Sequence, residues 1–167
     1  MTARRRDPHD TILEQACTIA VVGLSPRPRR ESHVVAGYMQ RQGYRIVPVN
    51  PNAAAEILGE RVYASLAEVP LPVDVVNVFQ RSAQTDAPID AAIAMGARAV
   101  WLQQGIRNRV GLERARRALI HVATFVATWE VWSPGHESAR MTCAGGLSHG
   151  RTRDTLRVRE SVRLTSR

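Results

Sequence analysis

The stretch that most constrains the fold is residues 18–51, TIAVVGLSPRPRRESHVVAGYMQRQGYRIVPVNP. It reads as a buried strand, a Gly-Ser-Pro turn, a helix and a second buried strand. Ile19, Ala20, Val21 and Val22 are apolar throughout and, Ala20 apart, β-branched. A strand covered by helices on both faces looks like this, continuous rather than alternating. Gly23 stops the run, and a glycine there admits a left-handed backbone and a ligand close to the main chain. Ser25 offers a hydroxyl, while Pro26 and Pro28 keep a helix from starting too early. Ser32 reads as the N-cap of a helix over about 32–42. Val34, Val35, Tyr38 and Met39 recur at helical spacing, and Gly43 closes the helix. Residues 44–49 form the second strand, which ends in Asn50-Pro51.

A strand, a tight turn and a helix in that order aim free amides and the positive end of a helix dipole at one point, which favours phosphate. Arg27, Arg29 and Arg30 in the same loop supply charge-assisted donors for phosphate oxygens. Any parallel α/β protein also needs a tight turn here, so the turn alone leaves both readings open. The end of the second strand narrows the choice. A dinucleotide site of the NAD type pairs Gly-x-Gly-x-x-Gly with an acid after that strand, for the ribose hydroxyls. Here the turn reads Gly23-Leu24-Ser25-Pro26-Arg27-Pro28, with one glycine, and Val49-Asn50-Pro51 stands where the acid belongs. These residues still specify a parallel α/β unit, but they lack most of the NAD signature.

At 167 residues the chain is long enough for one domain with a sizeable core. No apolar run approaches the length of a membrane span. The N-terminal MTARRRDPHD has no apolar segment after its charges, so it does not read as a signal peptide, and a cytoplasmic address is expected. Cys17 and Cys143 are too few and too far apart for a disulfide framework or a metal site, and read as buried or free thiols. The net charge of +8 resembles a nucleic-acid signal until it is divided. Residues 10–106 hold 8 Arg against 9 acids, whereas residues 107–117 hold 5 Arg and 1 acid, and residues 140–167 hold 7 Arg and 2 acids. The basic character is confined to the ends while residues 10–106 are close to neutral, and the basic tail reads as a solvated extension rather than a nucleic-acid surface.

Further along, a minor strand is expected near Arg61–Tyr63, and Ser65 caps a brief helix before Pro70. Strands follow at 73–79, 98–103 and 120–126, separated by helices at about 86–95 and 108–117. Pro88 suits a first helical turn, Ile89, Ala92, Ile93 and Met95 mark the inner side, and Trp101 reads as core. This alternation calls for a Rossmann-like, doubly wound, mainly parallel sheet of five strands with helices on both faces. Ligands in such sheets bind beyond the carboxyl ends of the strands, where strand order reverses. The residues to watch are Gly23 to Pro26, Asn50 and Pro51, Phe79 to Arg81, and Gln103 to Gly105. They hold no nucleophile elbow, no Gly-Lys phosphate loop and no metal-spaced His/Cys cluster. His33 reads as a surface residue.

Six segments in series, IAVVGLSPRP, the helix with Ser32 and Tyr38, GYRIVPVNPN, ILGERVYASLAEVP, VDVVNVFQRS and GARAVWLQQGIRN, carry a family resemblance. Over about residues 10–120 the chain resembles the small stand-alone CoA-binding domain proteins of bacteria and archaea, the YccU-like family. These are similar to the CoA-binding domain of the succinyl-CoA synthetase alpha subunit. The resemblance implies that the turn of Gly23, Leu24, Ser25 and Pro26 cradles the CoA pyrophosphate, with Ser32 helping to hold a phosphate. It further implies that Asn50–Pro51 and the Phe79-Gln80-Arg81 turn flank the adenosine or pantetheine. In the synthetase relatives a separate domain supplies the phosphorylated histidine, which this chain has no room for.

A CoA or acyl-CoA binding protein without its own catalysis is therefore the leading expectation, with a sensing or carrier role. The alternatives are a CoA-ligase-like subunit acting with a partner chain, and an NAD(H)-responsive regulator. The expected organisation is a basic extension over 1–9, the binding domain over 10–126 and a divergent, Arg-rich tail over 127–167. The resemblance stops near His121, where relatives continue into an Asp-Arg-Cys segment, as if the ending were replaced or its reading frame changed.

Overall fold

The computed structural model describes residues 12–124, apart from 14, 54 and 104. The apolar runs become strands β1 (Thr18–Val22), β2 (Arg45–Val49), β5 (Val75–Val78), β6 (Ala99–Leu102) and β7 (His121–Thr124). They form one sheet in the order β2-β1-β5-β6-β7, parallel at every pairing. β1, β5 and β6 are buried at every residue, as a sheet covered on both faces requires. Helices α1 (Glu31–Arg41), α2 (Asp86–Ala94) and α3 (Arg109–Arg117) provide cover.

Alternate strand residues face opposite layers. Ala20, Val22, Val76, Val78, Val100 and Leu102 meet Ile89 and Ala92 of α2 and Leu112 and Ala115 of α3. Ile19, Val21, Val75 and Trp101 meet Ala36 and Met39 of α1, with Leu13 and Ala16. The chain moves outward from β1 to β2 through α1, then returns beside β1 and moves the other way through β5, β6 and β7. This is the doubly wound, Rossmann-like arrangement expected, with its reversal between β1 and β5. Among the described residues no helix is long and apolar enough to cross a membrane.

Some expectations are corrected. On α1, Ala36, Gly37 and Met39 are buried, whereas Val34 is 36% exposed. The small residues let the helix lie close to the sheet, which hydrophobic spacing alone does not register. The minor strand near Arg61–Tyr63 is instead a hairpin of β3 (Glu56–Ile57) and β4 (Glu60–Arg61), and Tyr63 bridges Val49 singly. Cys17 is half-buried just before β1. Cys143, the extension over 1–9 and the tail over 127–167 lie outside the described residues.

Asn108 starts α3 as expected, and it does more than cap. Its Oδ1 accepts from the Gly111 amide at 2.7 Å, while Nδ2 donates to Thr85 Oγ1 and Asp86 Oδ1, both at 3.0 Å. Asp86 and Asp90 also hold Arg114 at 2.7 and 3.0 Å, which locks α3 to α2. The hydrogen bonds from Asn108 and then Arg114 hold the Asp86 carboxyl below its ordinary range. Asn108→Ala is expected to destabilise the fold by about 1–2 kcal/mol, read as a lower urea midpoint at unchanged m-value.

Candidate functional site

The carboxyl ends of β2, β1, β5 and β6 share one edge, and the order reverses between β1 and β5, the point at which sheets of this kind form their ligand crevice. Gly23 leaves β1 with φ +83°, in the left-handed region. Its amide donates to the Val49 carbonyl of β2 at 2.8 Å, and the Phe79 amide donates to the Val22 carbonyl at 2.8 Å. A Cβ at position 23 would stand 2.7 Å from the Phe79 carbonyl oxygen and 3.3 Å from Gln80 Cγ. Position 23 therefore demands glycine twice over, for its backbone angle and for space.

The loop after Gly23 is held from within. Leu24 is fully buried in the α1-side core and turns no side chain toward the crevice. Its carbonyl accepts from Asn50 Nδ2 at 2.9 Å, and Asn50 Oδ1 accepts from the Asn52 amide at 2.9 Å. Asn50 thus ties the loops after β1 and β2 together, with both ends of its amide engaged.

Ser32 is not the N-cap. The helix begins at Glu31, Arg30 occupies the cap position in extended conformation, and no side chain caps it. Ser32, buried in the first turn, points its hydroxyl back along the helix and accepts from the Ser25 amide at 3.1 Å. The Ser25 hydroxyl accepts from the Arg27 amide at 3.2 Å, and His33 Nδ1 donates to the Ser25 carbonyl at 2.9 Å. His33 is half-buried and staples the loop to α1, which its reading as a surface residue missed. The amides of Glu31 and Ser32 take no partner among the described residues. Pro26, Arg27, Pro28, Arg29 and Arg30 are exposed around them.

On the other wall, Phe79 packs against the α1-side core, Gln80 is half-buried and Arg81 is exposed. Gln103 Nε2 donates to Asn77 Oδ1 at 2.6 Å, so this side chain turns back toward β5. Gly105, at φ +82°, is exposed. The sequence reading passed over Asn77, fully buried in β5, although a polar residue inside VDVVNVF was the signal. It also passed over Ser82, whose hydroxyl accepts from the Arg107 amide at 2.8 Å and joins the loops after β5 and β6.

The arrangement offers helix-end amides, guanidinium groups and a glycine cradle: a place for an extended, multiply anionic ligand. A family model described as a CoA binding domain matches residues 17–125. The uncharacterized protein YneT of Bacillus subtilis (strain 168) is 46% identical over 97 residues, spanning 58% of this chain and 71% of that protein. A solved structure from Thermus thermophilus is 37% identical with a TM-score of 0.66, covering 68% of this chain and 86% of its own. A hypothetical protein from Pyrococcus horikoshii OT3 is 30% identical with a TM-score of 0.70, covering 78% and 96%.

Proposed function

The chain belongs to the CoA-binding domain family, and from that premise we propose that it binds CoA or an acyl-CoA in the crevice above β1 and β5, with no chemistry of its own. The observation that carries the reading is the Gly23 turn, where a Cβ would fill the space against Phe79, set beside the unpartnered amides that open α1. A pyrophosphate fits there: the main chain admits its approach, and the helix end and loop arginines complement its charge. Asn50–Pro51 and Phe79–Arg81 then flank the adenosine or the pantetheine, with Gln103 and Gly105 further along the edge.

Two details favour this over neighbouring readings. An NAD site asks for a carboxylate after the second strand, and here Asn50 has its amide engaged by Leu24 and Asn52. A hydrolytic or transfer site asks for a nucleophile paired with a base. The hydroxyls of Ser25 and Ser32 and the Nδ1 of His33 instead hold main-chain atoms of the loop. The polar side chains shape a cradle.

Calorimetric titration with CoA, with NAD as the control, tests the reading. Saturable heat is expected with CoA and none with NAD. Silence toward CoA and acyl-CoAs, from protein with native circular dichroism, would overturn it.

A further inference from the structure

Helices α1, α2 and α3 end in the same way. After α1, the Gly43 amide donates to the Gln40 carbonyl at 3.0 Å and the Tyr44 amide to the Met39 carbonyl at 3.3 Å. After α2, Gly96 and Ala97 repeat this with Ile93 and Ala92, at 3.1 and 3.0 Å. After α3, Leu119 and Ile120 repeat it with Arg116 and Ala115, at 2.9 and 3.0 Å. This paired closure needs a left-handed residue at its first position, which is why glycine is usual there. Gly43 and Gly96 take it at φ +96° and +71°, but at the third end a leucine stands at φ +59°.

A left-handed backbone brings the Cβ of an L-residue too close to the following carbonyl oxygen. Packing of the side chain can offset that strain. At the other left-handed leucine it does, because Leu58 is half-buried against the α1-side core. Leu119 is 94% exposed and has no such burial within the chain. α3 also exposes Val110, at 69%, near its start. Among the described residues, Val110 lines a surface cavity of about 420 Å³ together with Arg109, Glu113, Arg114 and Arg117. Arg114 is held by Asp86 and Asp90. Glu113 is shared between Arg117 at 3.3 Å and Arg116 at 3.9 Å, and Arg109 has no ion pair among the described residues. Three arginines therefore stand against one acid.

We propose that α3 and Leu119 form a docking surface for an acidic, apolar segment of another protein. Val110 and Leu119 lie roughly 13 Å apart along the helix, a span that one helix or strand of a partner covers. Apolar side chains of that segment cover Val110 and Leu119, and its carboxylates pair with Arg109, Arg116 and Arg117. Charge decides the occupant. A second copy presents the same excess of arginine, and residues 140–167 of this chain hold 7 Arg against 2 acids. Both are repelled where an acidic segment is attracted. The surface is independent of what the crevice binds.

Leu119→Gly separates a docking role from a structural one. The substitution removes the left-handed strain, so the variant is expected to melt about 2–4 °C above the wild-type chain. A lower Tm would overturn the proposal by showing that the leucine serves this chain's own fold. Binding is read with a displayed library of random peptides, selected on the full wild-type chain and depleted on Leu119→Gly. The peptides retained are expected to combine Asp and Glu with Leu or Phe, and to bind less tightly as salt is raised. Each is expected to lose at least about tenfold in affinity for Leu119→Gly. Retained peptides without an excess of acid, or none retained, would overturn the proposal. So would sedimentation of the wild-type chain as a dimer that Leu119→Gly dissolves, which would make the occupant a second copy.

Discussion

Replacing Gly23 with valine is expected to weaken CoA binding by at least about tenfold, or 1.4 kcal/mol, and to lower Tm as well. Two separate costs meet at this position. The backbone sits at φ +83°, where a β-branched residue is a genuine outlier. Holding an L-residue there costs about 1–2 kcal/mol. The added Cβ would also stand 2.7 Å from the Phe79 carbonyl oxygen, which is main chain of the central strand's continuation and has little freedom to retreat. Relief comes from lifting the turn off β5. That motion strains the Gly23–Val49 hydrogen bond and carries the opening of α1 away from the crevice. Thermal unfolding reads the first effect and calorimetry with CoA the second. A Gly23→Val protein that keeps native circular dichroism and wild-type CoA affinity would exclude this turn as the phosphate cradle.

The parts of the fold set by burial were legible before the structure. TIAVV, VDVVNVF and RAVWLQ are predominantly apolar, and within each lies a strand buried at every residue. The crevice followed from topology, because parallel strands with right-handed crossovers bring their carboxyl ends to one edge. What stayed hidden depended on where side chains point. Ser32 has the identity of a cap, but the cap position falls on Arg30, extended at φ −80° and ψ 140°, two residues earlier, and the Ser32 hydroxyl serves the loop. The β3–β4 hairpin turns through Leu58 and Gly59, both at positive φ. Leucine at the first of these does not announce a turn as Asn-Gly would. Ser82 and Arg107 are 25 residues apart and meet only once the sheet is assembled.

Leu24 is the clearest case of a residue whose role the chain concealed, and its replacement has the other large expected effect. As the second residue of a loop it reads as a ligand contact, yet it is fully buried among the side chains packed under α1. Leu24→Ala removes three carbons from a closed core and leaves a cavity, at a cost of about 2–5 kcal/mol. The same side chain anchors the phosphate loop from below, while the Leu24 carbonyl ties that loop to Asn50. A loop that has lost its anchor samples positions in which it no longer lies against the free Glu31 and Ser32 amides at the start of α1. CoA affinity is therefore expected to fall together with stability, although the side chain touches no ligand. Urea unfolding measures the stability change, and calorimetry well below the variant's Tm measures affinity in protein that is still folded. Loss of stability at unchanged affinity would mean that the hydrogen bonds of Gly23, Ser32 and Asn50 position the loop unaided. Loss of both would place the foundation of the binding site in the core beneath it.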